Sequence, residues 1–305
     1  MLQHDRFDPH YRDPNGYTAL FYIANCDDSA VAREIASELV NRGIPLDVMG
    51  ITGNTALADL IEAAHFKAAI ALLERGADPT ISDWGDRGIG LFNAICRNRK
   101  SSDVIDEAEQ EPEATDLRED QRRLVSLLLA KGVDPNRRMG HGAAPFSKAL
   151  FWVLMELRDA ECIKTLLDAG ADIKSAFCEN HETRSESLLR VFFELFGEPD
   201  PDALKKWDPI TIGLDPYKES LRLLLERGAR IDSLDGEWSA LSKTCELAGS
   251  DIGPGALEFL VENATCRNVE LEHVEILKSQ WVMSETVRKL LEQLYSKLVK
   301  GYDAE

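Results

Sequence analysis

One phrase recurs along the 305 residues and limits what the chain can become: two leucines, two polar residues, a glycine, a small residue and often Asp. It reads Leu72-Leu73-Glu74-Arg75-Gly76-Ala77-Asp78 and Leu128-Leu129-Ala130-Lys131-Gly132-Val133-Asp134, then Leu166-Leu167-Asp168-Ala169-Gly170-Ala171-Asp172 and Leu224-Leu225-Glu226-Arg227-Gly228-Ala229-Arg230. A looser copy, Leu39-Val40-Asn41-Arg42-Gly43-Ile44, precedes them, and Leu260-Val261-Glu262-Asn263-Ala264 follows with Asn in the glycine slot. The leucine pair closes the buried face of a helix, and the glycine takes the left-handed conformation that ends it. Asn263 is expected to do the same, because Asn tolerates that region better than other residues with a side chain. The stops at 43, 76, 132, 170, 228 and 263 are separated by 33, 56, 38, 58 and 35 residues. Three intervals lie near one 33-residue length and two exceed it by 23 and 25, so the pattern is a regular array carrying two insertions.

A second phrase opens the repeats. Gly16-Tyr17-Thr18-Ala19-Leu20 and Gly53-Asn54-Thr55-Ala56-Leu57 are the clear copies; Gly142-Ala143-Ala144-Pro145-Phe146 and Glu237-Trp238-Ser239-Ala240-Leu241 are weaker ones. The Thr or Ser is placed to cap a first helix by accepting a bond from an unpaired backbone N–H.

Together the two phrases resemble the ankyrin repeat, whose signature is G-x-T-P-L-H-x-A-A followed by a second helix ending L-L-x-x-G-A. The best copy runs from Gly53 to Asp78 and matches the opening Gly, Thr and Leu, the mid-repeat His65, Leu72, Leu73 and Gly76-Ala77-Asp78. It departs where Ala58, like Phe21 in the copy before it, stands in place of the family's histidine. The resemblance implies an all-α, elongated solenoid of about six helix-turn-helix repeats joined by short hairpin loops. Repeats are expected near 14–46, 50–81, 86–138, 140–175, 183–233 and 235–268, after a tail over 1–13.

The two insertions differ in kind. The first, about 100–120, carries nine acidic residues against one Arg from Asp103 to Asp120 and reads as a solvated flexible loop, the other reading being a docking tail for a basic partner. The second, about 197–216, has four prolines but also Leu204, Trp207, Ile210, Ile212 and Leu214, and is expected to pack on the solenoid or on a partner. Beyond the last repeat, 269–305 reads as a helical cap. Val269 to Leu277 forms one helix; Ser284 caps another whose apolar face is Val287, Leu290, Leu291, Leu294 and Leu298.

A net charge of −19 disfavours nucleic acid, since a negative surface repels a phosphate backbone. The six cysteines have no C-x-x-C spacing, and the first fourteen residues have no apolar core. These features predict an intracellular, soluble, monomeric protein without a membrane span, cofactor or metal, although export as an effector without a recognisable signal remains open. The catalytic motifs searched for are absent: no phosphate loop, no G-x-S-x-G elbow and no H-E-x-x-H helix. The cluster His4, Asp5, Asp8 and His10 reads as a frayed tail, and His65 as a structural group between helices.

What the resemblance implies is a scaffold or adaptor that binds a protein partner through the concave face and finger loops. The variable slot of G-x-T places Tyr17, Asn54, Ala143 and Trp238 there, and the finger tips add Trp84, Arg87, Arg137, Arg138, Met139 and His141. Tyr, Trp and Arg dominate binding energy where interfaces form. Trp84 and Trp238 either present themselves at those tips or fold back on a neighbouring repeat, and Arg137 with Arg138 is either a solvated pair or an anchor for carboxylates. The other reading of the chain is a solenoid converted to small-molecule binding or catalysis, with a pocket involving 197–216.

Overall fold

Five helices end in the same backbone knot. Gly43, Gly76, Gly132, Gly170 and Gly228 all lie at positive φ, between 79° and 105°. In each knot the residue after the glycine donates its N–H to the carbonyl of the first residue of the preceding apolar pair: Ile44 to Leu39, Ala77 to Leu72, Val133 to Leu128, Ala171 to Leu166 and Ala229 to Leu224, at 2.9–3.3 Å. This is the bond that closes a helix whose last carbonyls would otherwise be unpaired. The accepting leucine is also buried, at most 1% exposed in all five. Helix stop and core contact are thus set by one short phrase.

The computed structural model describes residues 7–81, 90–97, 112–137, 146–147, 149–174, 177–178, 185–197, 214–234, 238–249, 253–280 and 284–302. The chain divides into two compact halves, residues 1–144 with 168–170 and residues 145–167 with 171–305.

In the first half a 3-10 turn, Phe21–Asn25, precedes helix α1, Ser29–Asn41. Asp28 caps α1, its Oδ1 accepting from the N–H groups of Ala30 and Val31. Helices α2, Ala56–Glu62, and α3, Phe66–Glu74, form the most regular repeat; α4, Leu91–Arg97, and α5, Pro112–Ala130, form the next. First helices pack on first helices, the 3-10 turn on α2 and α2 on α4, while second helices pack α1 on α3 and α3 on α5. The core between these layers is built by Leu57, Leu60, Ile61, Phe66, Leu72 and Leu73, none more than 2% exposed. Each such side chain contributes about 1.5–3 kcal/mol of transfer free energy.

Two expectations are corrected in this half. Thr18 does not cap a helix: the 3-10 turn begins without a side-chain cap, and the buried Thr18 hydroxyl has no hydrogen-bond partner among the described residues. Thr55 does cap, accepting from Ala58 N at 3.4 Å. The acidic stretch read as a loop over 100–120 is helical from Pro112 onward, because proline suits a first helical turn and charge ties this segment down. Asp116 pairs with Lys67 of α3, and Arg123 with Glu74. Residues 98–111 of that insertion lie outside the described residues.

The second half opens with α6, Ala149–Trp152, which widens into a π-helical turn, Val153–Leu157. Arg158 ends it in the left-handed region at φ 55°, donating its N–H to Val153 O, with its guanidinium 5.0 Å over the Tyr217 ring. Then come α7, Ala160–Asp168, α8, Leu188–Gly197, α9, Lys218–Glu226, α10, Ala240–Ala248, and α11, Gly255–Asn263. Two-residue strands β1 (Phe146–Ser147), β2 (Phe177–Cys178) and β3 (Ser185–Glu186) pair antiparallel in that order, a small addition to the all-α expectation. Residues 198–213 of the second insertion lie outside the described residues, so its expected packing is not placed.

Asn263 is the other correction. It does not enter the left-handed region; α11 ends because Ala264 turns extended at φ −69°, ψ 150°. The Asn263 side chain instead donates to Phe259 O at 2.8 Å and accepts from Arg222 Nε at 3.3 Å. Two further helices follow, α12 (Leu271–Gln280) and α13 (Glu285–Tyr302). Ser284 Oγ accepts from Val287 N at 3.3 Å, and Val287, Leu291, Leu294 and Leu298 are buried where α13 packs on α11 and α12. Lys297 Nζ donates to Val261 O and Glu262 O at 3.0 and 2.7 Å, a cation on the last carbonyls of α11. No helix among the described residues is long and apolar enough to cross a membrane.

Candidate partner-binding groove

The first hairpin is organised by one carboxylate. Asp13 Oδ1 accepts from Asn15 N and Tyr17 N at 2.9 and 2.8 Å, while Oδ2 accepts from the Tyr22 hydroxyl at 2.5 Å. That phenolic bond is the main influence holding the Asp13 carboxyl below its usual range, and the same bond pushes the Tyr22 phenol up. Gly16, at φ 80°, turns the chain so that Tyr17 projects onto the next hairpin. There the aromatic ring lies against Gly50: a Cβ at position 50 would stand 2.0 Å from Tyr17 Cε1. The second hairpin closes through a bridge between Met49 and Thr55, and Ile51 N donates to Asn15 O at 3.0 Å, which ties the two tips together.

Beneath these tips, between the 3-10 turn and α2, lies a groove of about 380 Å³. One wall is Tyr17, Phe21, Tyr22, Ala24 and Asn25; the other is Asp59, Glu62 and Ala63. Tyr17 and Phe21 stack at 4.8 Å between centroids. Tyr22 is 55% exposed and Glu62 and Ala63 are exposed, so the groove is open to solvent. Asp59 is half-buried and accepts from Asn54 Nδ2 at 3.1 Å. Burial is the largest influence raising its carboxyl, the Asn54 bond opposes it, and the charge of Glu62 raises it further. Beside the groove the hairpin carries exposed Met49 and Ile51, the latter 76% exposed.

Of the residues singled out from sequence, Tyr17 lines this groove and Asn54 bonds one of its lining carboxylates, Asp59. Arg137 is exposed at the end of the turn after α5, its N–H bonded to Asp134 O. Trp238 belongs to the second half and is half-buried, with the Lys243 ammonium 4.7 Å over its ring. Trp84, Arg87, Arg138, Met139, His141 and Ala143 lie outside the described residues. Tyr22, Asp59 and Glu62 were missed. The signal for the two acids was present: three residues apart on α2, they fall on the side of the helix away from Leu57, Leu60 and Ile61. Tyr22 offered none, since an aromatic beside Phe21 and Ile23 reads as core.

One arrangement in the second half has the look of catalytic machinery. Ser239 Oγ lies 2.9 Å from His273 Nε2, with the buried Asp232 acting electrostatically on that histidine. Ser239, however, is fully buried, and its hydroxyl accepts from Ser242 N as the cap of α10. Asp232 is occupied by Arg230 and by Glu270 N at 2.6–2.8 Å. A nucleophile needs access to its substrate, and this hydroxyl joins the last repeat to α12 instead. His65, similarly, is buried at the start of α3 with Ser29 Oγ 3.4 Å from its Nδ1.

Opening hairpin, first helix or 3-10 turn, second helix and left-handed glycine stop follow in that order in the first two repeats, and among the described residues the helix pairs and glycine stops recur after them. The fold is that of ankyrin repeats. No family model matches the chain and no curated protein matches it significantly. Among solved structures it is similar to the human ASB11 ankyrin repeat domain, with 16% identity over 87% of this chain and 89% of that one, at a TM-score of 0.49. It is also similar to a chain in the complex of the Bd0816 predatory endopeptidase with immunity protein Bd3460 from Bdellovibrio bacteriovorus. That match has 21% identity, 63% and 82% coverage and a TM-score of 0.38.

Proposed function

We propose that this protein is an interaction module, a scaffold or adaptor, which docks a protein partner on the first-helix face and hairpin tips of its first half. The observation that carries the reading is the open groove, lined by exposed Tyr22 and two carboxylates, below a hairpin that carries exposed Ile51. Large aromatic and aliphatic groups beside polar ones are the composition of an interface centre. Tyr17 and Asn54 belong to the same footprint; Arg137 and Trp238 would contribute only to a partner that also reaches them. Small-molecule chemistry gains no support from a groove this open, since enzyme sites bury most of their ligand.

Site-specific photo-crosslinking tests the reading. A benzophenone side chain at Tyr22 is expected to capture a protein partner in extracts, while the same group at exposed Lys131 captures none of it. Equal capture from both positions, or from Lys131 alone, would remove this face as the docking site.

A further inference from the structure

We propose that Asn15 is a modification site, where the chain converts its own asparagine to aspartate and isoaspartate without an enzyme and so loosens the first hairpin. Asn15 is exposed, and it is the one asparagine in the sequence that precedes a glycine. Gly16 has no side chain to shield its backbone nitrogen from the Asn15 side-chain carbonyl carbon. Hydroxide removes the Gly16 amide proton, the nitrogen bonds to Asn15 Cγ, and the Cγ–Nδ2 bond breaks with loss of ammonia. Water then opens the cyclic imide at either of its carbonyls and leaves aspartate or isoaspartate. Water is the only co-reactant.

The fold singles out the same residue. The side-chain amides of Asn41, Asn54, Asn136, Asn263 and Asn268 are each held by a hydrogen bond, whereas that of Asn15 makes none among the described residues. The Gly16 N–H donates to Asp13 O at 2.9 Å, so this turn must open before the nitrogen can attack. Such opening is local and costs far less than unfolding the repeats, because exposed loop tips are the least stable parts of a fold. The product then acts where the hairpins meet. Asn15 O accepts from Ile51 N at 3.0 Å, and Asn15 N and Tyr17 N both donate to Asp13 Oδ1. In isoaspartate the main chain runs through Cβ and Cγ, and the carbonyl that accepted from Ile51 becomes a free carboxylate close to Asp13. Longer backbone and like charge both work against the tie between the tips and against the seat of Tyr17 on Gly50. Tyr17 is a wall of the groove, so, resting on the docking reading, the conversion lowers partner binding as the protein ages.

The test warms the full chain in mildly alkaline buffer and follows each asparagine by peptide mass spectrometry, with electron-transfer fragmentation to tell aspartate from isoaspartate. Asn15 is expected to convert more than about tenfold faster than Asn41 or Asn54, whose following residues carry side chains. Its rate is expected to rise with pH, as removal of an amide proton requires, and Asn15→Gln is expected to leave position 15 unconverted. No conversion at Asn15, or conversion no faster than at Asn41, would overturn the site. Hydrogen exchange reads the consequence: the Ile51 and Tyr17 amides are expected to lose protection several-fold in the converted chain. Asn15→Asp adds the charge without lengthening the backbone and is expected to lose less. Unchanged protection at Ile51 after conversion would overturn the loosening. Capture of a partner at Tyr22 is expected to fall several-fold on conversion, and equal capture by fresh and converted chains would overturn the effect on binding. If Asn15 converts and the hairpin loosens while Tyr22 captures no partner even in fresh protein, the docking reading fails and the modification site stands.

Discussion

Two backbone positions carry more of the local design than their size suggests. Ala64 ends α2 in the left-handed region at φ 61°, while His65 N bonds back to Leu60 O at 2.8 Å, the same knot that glycine makes elsewhere. An L-residue in that conformation costs roughly 1–2 kcal/mol. Ala64→Gly is therefore expected to raise unfolding stability by up to about 1 kcal/mol, because relief of strain outweighs glycine's larger entropy in the unfolded chain. Urea denaturation reads this directly, and a loss of stability would show that the turn is unstrained. Gly50 is the opposite case, kept small by a neighbour: a Cβ there would occupy the place of the Tyr17 ring. Gly50→Ala is expected to drive Tyr17 off Phe21, costing about 1 kcal/mol and weakening binding at the groove. A variant with an unchanged urea midpoint would show that the ring has room to move.

Among elements, the joint between α10 and α12 is the one that pH should disturb. His273 is half-buried, and burial is the largest influence lowering its pKa from 6.5, partly offset by the charge of Asp232. The unfolded chain then binds a proton more readily than the folded one. The contribution to stability is present above pH 6.5 and lost as pH falls through the lowered folded value. Protection factors of amides in α12 and α13, corrected for the intrinsic pH dependence of exchange, are expected to fall below pH 6.5 in the native chain and to lose that dependence in His273→Gln. An unchanged profile in the variant would place the pH sensitivity elsewhere. Element boundaries were legible wherever a knot or cap is local: the five glycine stops, the Thr55 cap and the Ser284 cap follow from residues within one turn. Asn263 and Thr18 were misread because what replaces them is not local. Ala264 is free to extend after Asn263 bonds Phe259 and Arg222, and the first helix of the opening repeat shrinks to a 3-10 turn that needs no cap. The acidic segment was misread for a related reason, since its helix is pinned by Lys67 and by Glu74, each 49 residues away from its partner.

At the scale of the whole molecule the strong negative charge is a condition on partners. A field of that sign speeds the approach of basic segments and repels polyanions, and added salt screens both effects. Capture of a partner at Tyr22 is expected to weaken as salt rises from about 20 mM to about 300 mM. A flat salt profile would mean that the contact is apolar rather than ionic. The sequence by itself determined the repeat, five of its six stops and the two C-terminal helices, because a left-handed glycine, a buried leucine and a capping hydroxyl act within a few residues of each other. It also placed Tyr17 and Asn54 on the variable face. Only the tertiary structure decided that there is a groove, since Tyr22 and Asp59 lie in different repeats and meet through packing of the 3-10 turn on α2. Burial then shifts Asp59 away from an ordinary surface carboxylate, a property that no residue carries until its neighbours exclude water from it.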